Sequence, residues 1–165
     1  MSKAQEMQKI IRLYREETGR AELDMHDVAM FAMRKGWPMP VPKNPLDMLA
    51  AQFRDAARQE VRKDGASGRP YRAYHAVPTN AAQGSFFWID IDDPETTHAN
   101  MRKSAVMRRE QMVDDGVQLS LDLDHWNSAR SDEERIELPM DISPDIDWRK
   151  AAMDRDDDDD EAVNG

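Results

Sequence analysis

The sequence predicts a mainly helical α+β protein with a C-terminal helix, an extended arm and a disordered acidic tail. Three observations predict it. Apolar residues recur at helical spacing in three successive runs between residues 4 and 64. Two short runs rich in aromatic and β-branched residues follow, each bounded by turn residues. The last twelve residues, DRDDDDDEAVNG, contain six adjacent acids and almost nothing to bury.

The first helix is expected over residues 4–18. Met7, Ile10, Ile11 and Tyr14 follow the i, i+3, i+4, i+7 pattern, and Gly19 stands where a helix-ending glycine belongs. The second is expected over 25–35. Asp24 suits its N-cap and Asp27 its first turn. Met25, Val28, Ala29 and Ala32 form the expected buried stripe, with Phe31 at its edge. The run Gly36-Trp37-Pro38-Met39-Pro40-Val41-Pro42 cannot be helical, because its prolines remove donors and extend the residues before them. A third helix is expected over 45–64, with Asn44 as cap and Pro45 in the favoured first position. Leu46, Leu49, Ala50, Phe53, Ala57 and Val61 share one face, and Glu60 interrupts it.

Asp64-Gly65 and Ser67-Gly68 mark a turn. Strands are expected at Pro70 to Val77 and at Phe86 to Ile91, joined by a polar hairpin loop from Pro78 to Gly84. The first strand should carry Tyr71, Ala73, His75 and Val77 on one side, with Arg72 and Tyr74 on the other. A fourth helix covers 98–118, with a narrow stripe of Met101, Ala105, Met112, Val113 and Val117. Leu119, Leu121, Leu123 and Trp126 fit its continuation and an extended segment equally well. Residues 128–150 alternate Ile136, Leu138, Met140 and Ile142, which reads as an extended docking arm. Trp126 and Trp148 lie in acidic segments, where aromatic residues often anchor a protein partner.

Charge divides the chain. Residues 1–75 hold 14 Lys+Arg against 10 Asp+Glu, a net of +4, and residues 76–165 hold 9 against 23, a net of −14. A basic part with arginines in register suggests a polyanion, while the acidic part keeps that partner from covering the whole surface. Mean hydropathy is −0.85 and 34% of residues are charged, so part of the chain is expected to stay solvated. Cysteine is absent, which excludes disulfides, thiolate metal sites and cysteine nucleophiles. No apolar leader and no run long enough to span a bilayer is present, so a soluble cytoplasmic protein is expected.

MHDVAMFAMRKGW, NPLDMLAAQFRDAARQEVRKD and the pair RPYRAYHAV and SFFWIDID stand in the order helix, helix, strands. Over residues 1–92 this resembles the winged helix-turn-helix superfamily, loosely the HARE-type winged helices of bacterial transcription and restriction proteins. The turn between the second and third helices is longer and richer in proline than in that family. The resemblance implies a winged-helix domain at 1–92, then a helix and docking arm at 93–150 and an acidic tail at 151–165. It also implies that the third helix enters the major groove of double-stranded DNA.

The helical wheel bears on the same helix independently. Counted from Phe53, Arg54, Arg58 and Arg62 fall at about 100°, 140° and 180°, one ridge away from the apolar face. Small Ala51 lies on the same face. Arginine suits phosphate and guanine, and flanking Gln52 and Gln59 suit adenine. Lys63, Arg69 and Arg72 would continue the basic surface into the turn and wing. The plain alternative is a solvated face whose arginines pair with Asp47 and Asp55. A second cluster, Arg102, Lys103, Arg108 and Arg109, reads as an intrahelical network with Glu110, Asp114 and Asp115.

Catalytic signals are sparse. His26, His75, His98 and His125 form no metal-binding pair. Asp90, Asp92 and Asp93 beside His98 are the most enzyme-like group, and Asp122, Asp124 and His125 the next. Such acids more often mark the polar exit of a strand than a cation site. No phosphate loop, nucleophile elbow or dinucleotide fingerprint is present. The expectation is a non-enzymatic DNA-binding regulator of transcription, a mobile element or defence, with no cofactor. The acidic tail would compete for the basic face, and the fourth helix would pair two copies. The alternative is a protein-interaction adaptor, or an acidic DNA mimic, using the acidic half.

Overall fold

The computed structural model describes residues 1–80 and 85–163, with side chains through Arg155. Among these are five helices and two small antiparallel sheets. The chain divides into two compact units, Met1–Met48 and Leu49–Gly165. The division expected near residue 92 falls inside the second.

The first unit holds α1 (Lys3–Thr18) and α2 (Met25–Arg34). Ser2 and Gln5 close a reciprocal cap at the start of α1, and Gly19 ends it at φ 67°, a conformation glycine adopts without strain. Asp24 caps α2 by accepting the His26 N–H at 2.8 Å. Tyr14, Val28 and Phe31 are the buried centre, with Ile10, Ile11, Leu13 and Leu23 packed around them. Phe31 is therefore central rather than peripheral, and Met25 and Ala29 are exposed. The reason is aromatic. Phe31 meets Tyr14 edge-to-face at 5.4 Å, and the Lys35 ammonium lies 5.2 Å from its ring centre.

Helix α3 (Pro45–Gln59) begins as expected, with the Asn44 side chain accepting the Leu46 N–H at 2.9 Å. It ends five residues early. Glu60, the interruption in its apolar face, leaves the helix, and its carbonyl accepts the Ala73 N–H at 3.1 Å. β-Branched Val61 then opens β1 (Val61–Lys63), which pairs with β2 (Pro70–Arg72). The turn closes through Asp64, whose side chain accepts the N–H and hydroxyl of Ser67 at 2.8 and 2.7 Å, and through Gly68 at φ 72°.

The expected strand over 70–77 is two strands. Ala73 separates β2 from β3 (Tyr74–Pro78), which pairs with β4 (Phe86–Asp90), Ala76 opposite Trp88. The alternation holds: Ala73, His75 and Val77 are buried. Part of the expected hairpin loop, residues 81–84, lies outside the described residues. The hairpin packs on α4 (His98–Ala129), capped by Thr97. The buried face of α4 near the hairpin is Met101, Ser104 and Met107. Of the narrow stripe read from the sequence, Ala105, Met112, Val113 and Val117 are exposed.

Helix α4 runs on through Leu119–Trp126, so the helical period wins over the extended one. The chain then turns back along it. Asn127, buried to 6% exposure, holds the Ile136 backbone with two hydrogen bonds of 2.9 Å: its Nδ2 donates to the Ile136 carbonyl and its Oδ1 accepts the Ile136 N–H. At Gly116 a Cβ would lie 3.4 Å from Met140 Cε. The expected docking arm thus docks on its own helix. It is also shorter than expected, because α5 (Ser143–Val163) takes its last residues and the backbone of the tail expected to be disordered. Pro144 and Asp145 favour a helix start there.

Candidate nucleic-acid interface

Within the second unit, α3, the β3–β4 hairpin and α4 border a groove of about 1150 Å³. The wall from α3 carries Phe53, Arg54 and Arg58. The end of β2 contributes Arg72, the hairpin Tyr74 and Trp88, and α4 Met107 and Arg108. Four arginines thus face one carboxylate, Glu60, across a floor of aromatic rings. Phe53 is 69% exposed, because α3 buries none of its residues. The apolar face of α3, read from the sequence as core, is therefore open. Arg58 lies 5.5 Å over the Trp88 ring and pairs with Asp55 at 3.0 Å. Ser104, fully buried on α4, has a hydroxyl with no hydrogen-bond partner among the described residues.

The predicted basic residues separate into two groups. Arg54, Arg58 and Arg72 line the groove. Gln52 and Gln59 are exposed on α3 outside it, and Lys63 is exposed on β1. Arg62 and Arg69 are committed elsewhere. Arg62 is not on the α3 ridge at all, since the helix ends before it. From β1 its guanidinium donates to both Asp90 oxygens, Nη1 at 2.7 Å and Nη2 at 2.9 Å, and Nη1 also to Asp92 at 2.7 Å. It lies 5.7 Å over the Tyr74 ring. Tyr71 donates its hydroxyl to Asp92 at 2.8 Å, and Thr96 donates to the Asp90 carbonyl at 2.6 Å. This knot fastens the β1–β2 hairpin to the end of β4.

Hydrogen bonds from Arg62 hold the Asp90 carboxyl down at about 2, and Arg62 with the Tyr71 hydroxyl lowers that of Asp92. The same bonds raise Arg62, and the bond to Asp92 raises Tyr71. Two of the acids that looked most enzyme-like, Asp90 and Asp92, are therefore counter-ions of an arginine, while the Asp93 side chain accepts the Glu95 N–H at 2.8 Å. Among the described residues no group of three or more His, Asp or Glu side chains is placed to hold a metal. Arg69 forms a bidentate pair with Asp154, 85 positions away, at 2.9 and 2.8 Å, which raises the one and lowers the other.

Sequence reasoning missed Arg108 as a groove residue, having placed it in an intrahelical network. Its neighbour Arg109 does pair within the helix, with Glu110 at 3.4 Å. The helical turn from Ser104 to Arg108 was the available signal, because it puts Arg108 one turn beyond the buried serine. No helix among the described residues is long and apolar enough to cross a membrane. No protein-family model, curated protein or solved structure matches this chain.

Proposed function

We propose that this is a non-enzymatic DNA-binding protein, a regulator of transcription, a mobile element or defence, that contacts DNA through α3 and the edge of its hairpins. The winged-helix reading of the order α1–α2–α3 with hairpins after it belongs to this proposal. The observation that carries it is the convergence of Arg54, Arg58, Arg72 and Arg108 on one aromatic-lined groove with a single carboxylate. Arginines in such a place attract phosphate by charge and bidentate hydrogen bonding, and they displace counterions as they do so. Exposed Gln52 and Gln59 stand beside them on α3.

The test is fluorescence anisotropy on random-sequence duplex DNA across a salt series. Wild type is expected to bind and to weaken steeply with salt. Arg54→Ala/Arg58→Ala/Arg72→Ala is expected to lose about three units of the log–log salt slope and at least about tenfold in affinity. Absence of binding by wild type would overturn the proposal. Arg62 is left out of that set because its removal would disturb the fold.

The acidic half acts on a further cation outside the groove. Asp154 holds Arg69, so Asp154→Ala is expected to free a cation and tighten DNA binding several-fold at low salt. The same titration reads it, and unchanged affinity would sink this role for α5.

A second reading, an adaptor for a protein partner, is favoured by one observation. Ile136, Leu138, Met140, Ile142 and Trp148 stay exposed, although Asn127 pins the arm. That surface becomes the place to look if DNA does not bind.

A further inference from the structure

Helix α4 is 32 residues long, about 48 Å, and one apolar stripe of it is left about half exposed. Val106, Val113, Val117 and Leu121 lie near one line on its surface, and each is between 43 and 57% exposed. The arm that folds back on α4 covers a different side, that of Gly116 and Asn127. The charges of α4 are also divided by its length. Its first half carries Arg102, Lys103, Arg108 and Arg109 with one acid, Glu110. Its second half carries Asp114, Asp115, Asp122 and Asp124 and no Lys or Arg.

We infer that the occupant of this stripe is a second copy of the same chain, bound through an antiparallel α4–α4 contact. A two-fold axis crossing the helices between Val113 and Asp114 makes the pattern self-complementary. Val106 of one copy then opposes Leu121 of the other, Lys103 opposes Asp124, and the Val113 side chains meet near the axis. Every contact occurs twice, as a two-fold interface requires. The basic half of each helix lies along the acidic half of its partner. A parallel pairing would set like charges side by side. Neither Lys103 nor Asp124 has an ion-pair partner in its own chain among the described residues.

The experiment is sedimentation velocity on the full chain across micromolar concentrations. A dimer is expected. Lys103→Asp and Asp124→Lys are each expected to weaken it by about tenfold or more, since each turns two attractive pairs into repulsive ones. The double variant Lys103→Asp/Asp124→Lys is expected to restore it. Circular dichroism checks that each variant keeps its helix. Because the chain lacks cysteine, Val113→Cys offers an independent readout. With diamide as oxidant it should form a disulfide-linked dimer, whereas Met112→Cys, displaced around the helix, should not. A monomeric wild type would overturn the inference. So would a dimer that ignores the charge reversals, or one cross-linked at 112 and not at 113.

Discussion

Asn127→Ala is expected to release the segment Arg135–Ile142 from α4 and to destabilise the protein by about 1–3 kcal/mol. The side chain is buried, and both ends of its amide are used on one residue, Ile136. Truncation leaves an N–H and a carbonyl of the arm without their partners, and it opens a gap against α4. The arm has little else to hold it, since its apolar side chains stay largely in solvent. Asn127→Asp is the sharper comparison. It keeps the acceptor for the Ile136 N–H but sets a carboxylate against the Ile136 carbonyl, so it should cost at least as much. Hydrogen exchange at the Ile136 amide reads the release directly. Protection that survives in Asn127→Ala would show that the clamp does not hold the arm.

Arg62→Ala is expected to lower the melting temperature by several degrees and to remove an acid-sensitive part of stability. Arg62 neutralises Asp90 and Asp92 together, and without it two adjacent carboxylates repel at the base of both hairpins. The Asp90 carboxyl is held at about 2, below its ordinary 3.8. A carboxyl depressed in the folded state adds stability above its unfolded value and loses it as pH falls toward the folded one. Wild type should therefore lose this contribution between about pH 4 and pH 2. In Arg62→Ala that loss should shrink, and the Asp90 carboxyl should titrate closer to its usual range by NMR, held down only by the Asp92 N–H. An unchanged Asp90 titration would mean that the arginine is not the cause. Arg62→Lys tests geometry, since an ammonium keeps the charge but cannot make the fork.

The local signals in the sequence placed most elements. Asn44-Pro45, Asp24 and Gly19 mark their helix ends because capping depends only on neighbours in the chain. The aromatic run at 86–90 is a strand, and alternation around His75 names its buried face correctly. What failed depended on distance. The wheel extended α3 through Arg62 because Val61 continued its apolar face, and only pairing with residues 70–72 shows that Val61 is a strand residue. That one boundary moved Arg62 from a proposed DNA ridge to a structural knot. Arg69 left the candidate surface for the same kind of reason, since Asp154 is 85 positions away and no local pattern links them. The groove was half legible. Arg54, Arg58 and Arg72 were named from the sequence, whereas Arg108 and the openness of Phe53 required the packing of α4 and the hairpin.

The pairings β1–β2, β3–β4, α1–α2 and α4 with its returning arm each join segments that are close in the chain. Loop closure for such contacts costs little entropy, and chains dominated by them fold quickly. Each hairpin can therefore form as soon as its second strand has left the ribosome, before α5 has been made. The Arg69–Asp154 fastening is the exception. It must wait for α5, so Arg69 at the turn of β1–β2 stays unpaired with Asp154 until 85 further residues have been made.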